Sequence, residues 1–136
     1  SRLLERLARS HGFDGTHVVI KPHGSDVSAA FAAADLLVFP SRSEGSPFAL
    51  VEGMAHGRPA VVTPVGGNDE LVLEGRTGWV ASAVTVDALR NALSRPCDAR
   101  APWPVAGHSA REHVVAGWGL AEPHRRLLAN IRADVT

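Results

Sequence analysis

One cysteine, Cys97, stands among the 136 residues. A single thiol closes no intrachain disulfide, so the sequence excludes a disulfide scaffold and points to a reducing, cytoplasmic setting. Cys97 lies in the loop-like segment PCDAR, with no histidine beside it in sequence, and reads as incidental. No run of 18 apolar residues occurs, so nothing reads as a membrane-spanning helix. Net charge is absent too: Lys+Arg and Asp+Glu both number 14. Without a basic stripe interleaved with aromatics, nucleic acid is not an expected partner. The arginine clusters are small, Arg2, Arg6 and Arg9 near one end and Arg125 and Arg126 near the other. They read as solvated helix faces, and the first could also meet a partner domain or anionic lipid headgroups. The seven histidines do not cluster. Neither the His108/His113 nor the His11/His17 spacing is the i, i+4 of a helical zinc pair, so no metal is expected.

What is present is a globular composition, 45% hydrophobic, in a length suited to one domain over residues 1–136. Residues 1–95 read as an α/β part and residues 96–136 as a loop followed by helices. The chain opens on Ser1 and passes at once into a helical pattern, which suggests a piece of a longer protein. Leu3, Leu4, Leu7 and Ala8 recur at helical spacing, with Gly12 as the stop. Residues 18–20 read as a short strand ended by Pro22. Asp26 caps an alanine-rich helix over residues 28–34. Residues 36–39 and 59–63 are continuous apolar runs, the mark of parallel strands covered on both faces. Between them a helix spans residues 47–56 and closes at Gly57. Asn68 caps a short helix to residue 73, residues 79–80 form a strand, and Thr85 caps a helix that Pro96 stops. Residues 97–107 read as loop, with helices over 108–116 and 120–132 beyond.

Strands alternating with helices predict an α/β fold: a Rossmann-like, doubly wound parallel sheet in three α/β/α layers. Ligands on such sheets sit at the carboxyl ends of the strands. Three loops, residues 21–25, 40–46 and 64–68, fall at that edge.

Two glutamates mark the second of these loops. In PSRSEGSPFALVEGMAHG, residues 40–57, Glu44 precedes the helix and Glu52 lies within it. Ser46 is placed to cap that helix and Pro47 to occupy its first position. Glu52 then lies five residues along, a rise of about 7 Å. The unpaired amides and positive dipole of the helix start suit an anionic ligand middle. A carboxylate on each side suits hydroxyl-bearing ends. Either glutamate taken alone reads more readily as a solvated charge, and only the pair with its neighbours favours a site.

The flanking motifs are AADLLVFPS before the pair, then GRPAVVTPVGGNDELV and GRTGWV after it. Together these resemble the donor-binding C-terminal domain of retaining glycosyltransferases of family four, with the GT-B fold. The likeness covers roughly residues 18–81. It implies that the parent enzyme moves a hexosyl group from a nucleoside-diphosphate sugar to a glycan, lipid or small-molecule acceptor, with no further cofactor. The resemblance carries several roles onto this chain. Glu52 would bind the ribose hydroxyls, and Glu44, the catalytic candidate, the transferred sugar. Gly45, Ser46, Pro47, Phe48 and Ala49 would lie close to sugar and diphosphate. Leu50 and Val51 would form the helix start facing the diphosphate. His23 would border the base, and Gly66 and Gly67 would pass beneath the donor, though they read equally as a plain turn. Glu70 matches the glutamate of the GGxxE element and could as well brace the local fold.

Departures from the family pattern matter. Gly53 replaces the usual alanine and is expected to weaken its helix by about 1 kcal/mol. Nothing in these 136 residues matches the family's arginine- and lysine-bearing loop that grips the diphosphate, and the acceptor-binding N-terminal domain is expected to belong to the longer parent. The expectation is a donor-binding half, inactive alone, whose parent serves polysaccharide biosynthesis and could associate peripherally with the inner membrane face. The alternative is a catalytically inert nucleotide-binding or interaction module. A dinucleotide-binding Rossmann enzyme would need a Gly-x-Gly-x-x-Gly turn, which is missing.

Overall fold

The computed structural model describes residues 2–22, 24, 26–45, 47–98 and 103–117. They divide into two compact units, Ser1–Ala30 and Phe31–Thr136.

In the first unit, α1 (Arg2–Ser10) ends as its sequence predicts. The Gly12 amide reaches the Arg9 carbonyl at 3.0 Å and the Phe13 amide reaches Ala8 at 2.9 Å. That crossed pair closes a helix through a left-handed residue, and Gly12 has φ +79°. Asp14 then nucleates a turn. Its carboxylate accepts the Thr16 hydroxyl at 2.5 Å, the Thr16 amide at 2.9 Å and the His17 ring at 2.8 Å. Three donors favour the charged form, the Thr16 hydroxyl foremost, and the pKa falls to about 2. Residues 18–20 are not the expected strand. Val18 and Val19 are exposed, no ladder among the described residues takes up this triplet, and the Val18 amide turns back to the Asp14 carbonyl at 3.0 Å. The helix α2 (Val27–Ala33) begins as expected, the Asp26 carboxylate accepting the Ala29 amide at 3.0 Å.

The second unit holds a sheet of three parallel strands: β1 (Leu37–Phe39), β2 (Ala60–Val62) and β3 (Gly78–Val80), in that order. Leu37 pairs with Ala60, and Ala60 with Gly78. Side chains alternate between faces, so the sheet builds two cores. On one face Leu37, Ala60 and Val62 pack with Leu50, Val51 and Met54 of α3 (Phe48–Ala55) and with Ala110 and Val114 of α6 (Trp103–Gly117). On the other, Val61 and Trp79 pack with Ala88 and Ala92 of α5 (Val86–Asp98). A short α4 (Asn68–Leu71) joins β2 to β3. This is the α/β architecture that the alternating pattern predicted. Leu50, Val51 and Met54 are almost wholly buried, each contributing about 1.5–3 kcal/mol by leaving water.

Four local expectations give way to tertiary context. Pro96 does not stop α5 but lies buried inside it. Its ring removes one helical donor, while its carbonyl accepts the Trp103 indole N–H at 2.6 Å. Residues 103–107, expected as loop, form the start of α6. The expected helix over 120–132 lies outside the described residues. Asn68 is not a cap: Gly67 holds that position with φ 86°, and Asn68 is buried behind it. Gly53 is no mere weakness in α3. A Cβ there would stand 2.2 Å from Leu37 Cδ1 and 3.2 Å from Phe31, so its bare backbone lets the helix settle onto β1.

Candidate functional site

The carboxyl ends of β1 and β2 are tied together by one threonine. Thr63 follows β2 and is 3% exposed. Its amide donates to the Phe39 carbonyl at 3.2 Å and its hydroxyl to the Ser41 carbonyl at 2.6 Å. The Phe39 oxygen lies 3.3 Å from the same hydroxyl. A hydroxyl has one proton to give, and the shorter contact takes it. Ser41 in turn donates its own hydroxyl to Oε1 of Glu44.

A second approach closes the same corner. Gly66 has φ +58°, and a Cβ built on it would fall 2.3 Å from the Glu44 carbonyl oxygen. Only glycine supplies both the left-handed backbone and the clearance. Behind the turn, the Asn68 side-chain amide donates to the Thr63 carbonyl at 3.3 Å. The stretches 40–45 and 63–67 therefore meet at the carboxyl edge, where α/β sheets place ligands. Glu44 sits between them, half-buried.

The helix α3 leaves this corner. Pro47 is its N-cap rather than its first residue, with no side-chain cap, and Ser46 lies outside the described residues. The Val51 amide donates to the Pro47 carbonyl at 3.0 Å, so it is not free for a phosphate as the helix-start assignment would have it. The amides of Ala49 and Leu50 precede any intrahelical acceptor and carry the positive end of the dipole. The side chains of Leu50 and Val51 are buried, so these two offer only backbone to a ligand. Glu52 lies one turn in. It shares the accessible stripe of α3 with Phe48, Ala49 and His56, while Leu50, Val51, Gly53, Met54 and Ala55 are buried. The His56 ring packs at 5.6 Å from Phe31 and its Nδ1 lies 2.9 Å from the Glu52 backbone oxygen. That leaves the Glu52 carboxylate without a partner among the described residues.

The arrangement thus brings Glu44, Gly45, Gly66 and Gly67 into one corner and sets Glu52 on the open side of the adjoining helix. Glu70 is exposed on α4. His23 lies outside the described residues. Two hydroxyl residues, Ser41 and Thr63, belong to the corner although the sequence pattern gave them no role. The signal available was a polar residue at the end of each apolar run. Chemically, the corner offers carboxylate acceptors for hydroxyl donors and backbone donors for an anion.

Known proteins share this arrangement of sequence. A family model described as glycosyl transferases group 1 matches residues 1–98. A UDP-Gal:alpha-D-GlcNAc-diphosphoundecaprenol alpha-1,3-galactosyltransferase of Escherichia coli is 29% identical over 98 residues, covering 72% of this chain and 25% of that protein. A D-inositol 3-phosphate glycosyltransferase 2 of Catenulispora acidiphila is 30% identical over 137 residues, covering 96% and 32%. Among solved structures, a sucrose-phosphate synthase from Thermosynechococcus elongatus superposes with a TM-score of 0.74 at 27% identity, over 95% of this chain and 34% of that one. The chain spans between a quarter and about a third of the length of these relatives.

Proposed function

We propose, from the premise that the chain belongs to the glycosyl transferases group 1 family, that it is the donor-binding part of a retaining, family-four glycosyltransferase with the GT-B fold. The observation that carries the reading is the corner itself: a half-buried carboxylate fixed between two strand-end loops, beside an uncapped helix start. In this reading Glu52 accepts hydrogen bonds from the ribose hydroxyls and Glu44 from the sugar. The amides of Gly45, Ala49 and Leu50 face the diphosphate. Catalysis in the longer parent protein is positioning plus stabilisation of the departing diphosphate. The acceptor is supplied by a part of the parent that precedes these residues, and the chain alone turns over no donor. The acceptor of the parent is a glycan, a lipid or a small molecule; a lipid-linked glycan fits the name of the Escherichia coli relative, and a small-molecule acceptor fits that of the Catenulispora acidiphila relative.

Calorimetric titration with UDP, GDP and their hexose conjugates tests this reading. The chain is expected to bind at least one nucleoside diphosphate. Loss of a hydrogen-bonded charge in Glu52→Ala should weaken that binding by roughly ten- to a hundred-fold. No heat with any of these ligands defeats the reading. Turnover of a donor by the chain alone removes the claim that it needs its parent.

A further inference from the structure

Thr63 and Ser41 do more than end two strands. The Thr63 hydroxyl spends its single proton on the Ser41 carbonyl, 2.6 Å away across 22 positions of sequence. That fixes the Ser41 backbone. The Ser41 hydroxyl then reaches forward to Oε1 of Glu44, and Gly66 seals the Glu44 backbone from the β2 side. Thr63 is itself held from behind, its carbonyl accepting the Val65 amide at 2.9 Å and the Asn68 side chain at 3.3 Å. The sequence of contacts runs from a buried asparagine through a buried threonine to one carboxylate oxygen. The other oxygen, Oε2, meets no partner among the described residues. One half of the carboxylate is anchored and one half is presented.

We infer that Thr63 and Ser41 are positioning residues that set the Glu44 carboxylate in place before a donor sugar arrives; the sugar's part in this rests on the function proposed above. A glutamate in an open loop loses side-chain freedom when a ligand hydroxyl captures it. Here the loss is already met in the empty protein. The relay acts on Glu44 alone, so it discriminates between a ligand that carries a sugar and one that stops at the diphosphate.

Valine is the same shape as threonine without the hydroxyl, so Thr63→Val tests the proton rather than the volume. In paired titrations with UDP and UDP-galactose, Thr63→Val is expected to cut the affinity gained from the galactose by about ten-fold, the worth of one hydrogen bond. Binding of UDP itself should stay as in the wild type, and Thr63→Ser, which keeps the hydroxyl, should restore the gain. Ser41→Ala changes a partly exposed residue, and should give the same loss even where Thr63→Val folds poorly. An unchanged ratio between the two ligands, or an equal loss on both, overturns the inference. Where the wild type takes GDP instead, the pair is GDP and its hexose conjugate; should it bind neither nucleotide nor any of their conjugates, the donor reading falls and the sugar role with it. Amide exchange at Gly45 in the empty protein then judges the anchoring. Faster exchange in Thr63→Val than in Thr63→Ser sustains it, and equal rates end it.

Discussion

On β3 the backbone groups that face away from β2 are taken. The Val80 amide donates to Glu74 Oε2 at 2.7 Å, the Val80 carbonyl accepts Arg95 Nη2 at 3.0 Å, and the Gly78 carbonyl accepts the Gly75 amide at 2.8 Å. An ion pair between Arg95 and Glu74 joins the two clasping side chains. On β1 the corresponding groups belong to Val38. Leu37 and Phe39 turn their hydrogen bonds toward β2, the Leu37 amide to Pro59 and the Phe39 carbonyl to Thr63, so Val38 faces outward. Its amide and carbonyl find no partner among the described residues, and the residue is 42% exposed. One edge of the sheet is finished by its own side chains, and the other is left able to accept a strand. Among the described residues, then, side chains close one edge of the sheet and leave the backbone of the other open.

Breaking the seam that supports the closed edge should have the largest effect. A Cβ on Gly78 would stand 2.1 Å from the Ala60 carbonyl oxygen and 2.8 Å from Val72. Gly78→Ala therefore forces β2 and β3 apart, and thermal unfolding should show a loss of about 3 kcal/mol. A result within error of wild type would mean that the strands re-space freely. Next comes the clasp. Glu74→Ala orphans the Val80 amide at an exposed site and should cost about 1 kcal/mol. Sedimentation velocity should then show more self-association than in the wild type, because the Val80 amide on that edge is freed. If Glu74→Ala leaves the size distribution unchanged, the clasp is not what closes that edge. Smallest is Val38→Lys. Stability should move by no more than about 0.5 kcal/mol, while any concentration-dependent pairing of the wild type should disappear. Pairing that survives the lysine would place it somewhere other than β1.

Much of this was legible in the sequence wherever the deciding contact is local. The strands Leu37–Phe39 and Ala60–Val62 fall within a residue of their apolar runs, because Asp35 and Pro40 bound the first and Gly57, Pro59 and Pro64 bound the second. Asp26 and Thr85 cap the helices they precede, each accepting the amide three residues on. The elements that carry Glu44 and Glu52 were legible for the same reason. What failed depended on partners far away in sequence. Residues 18–20 have the composition of a strand but no ladder to join among the described residues. Pro96 has the chemistry of a helix stop, yet burial and the Trp103 indole hold it within α5. Asn68 has the chemistry of a cap, yet a buried bond to Thr63 claims it. The roles of Ser41 and Thr63 arise only once the two strand ends lie side by side, which no window of sequence displays.

The meeting of α3 and β1 at Gly53 bears on any attempt to make the protein sturdier. Helix propensity alone recommends an alanine there, for a gain of about 1 kcal/mol. The leucine methyl already fills that space, so the improvement would have to be made at two positions together, trimming Leu37 as the methyl is added.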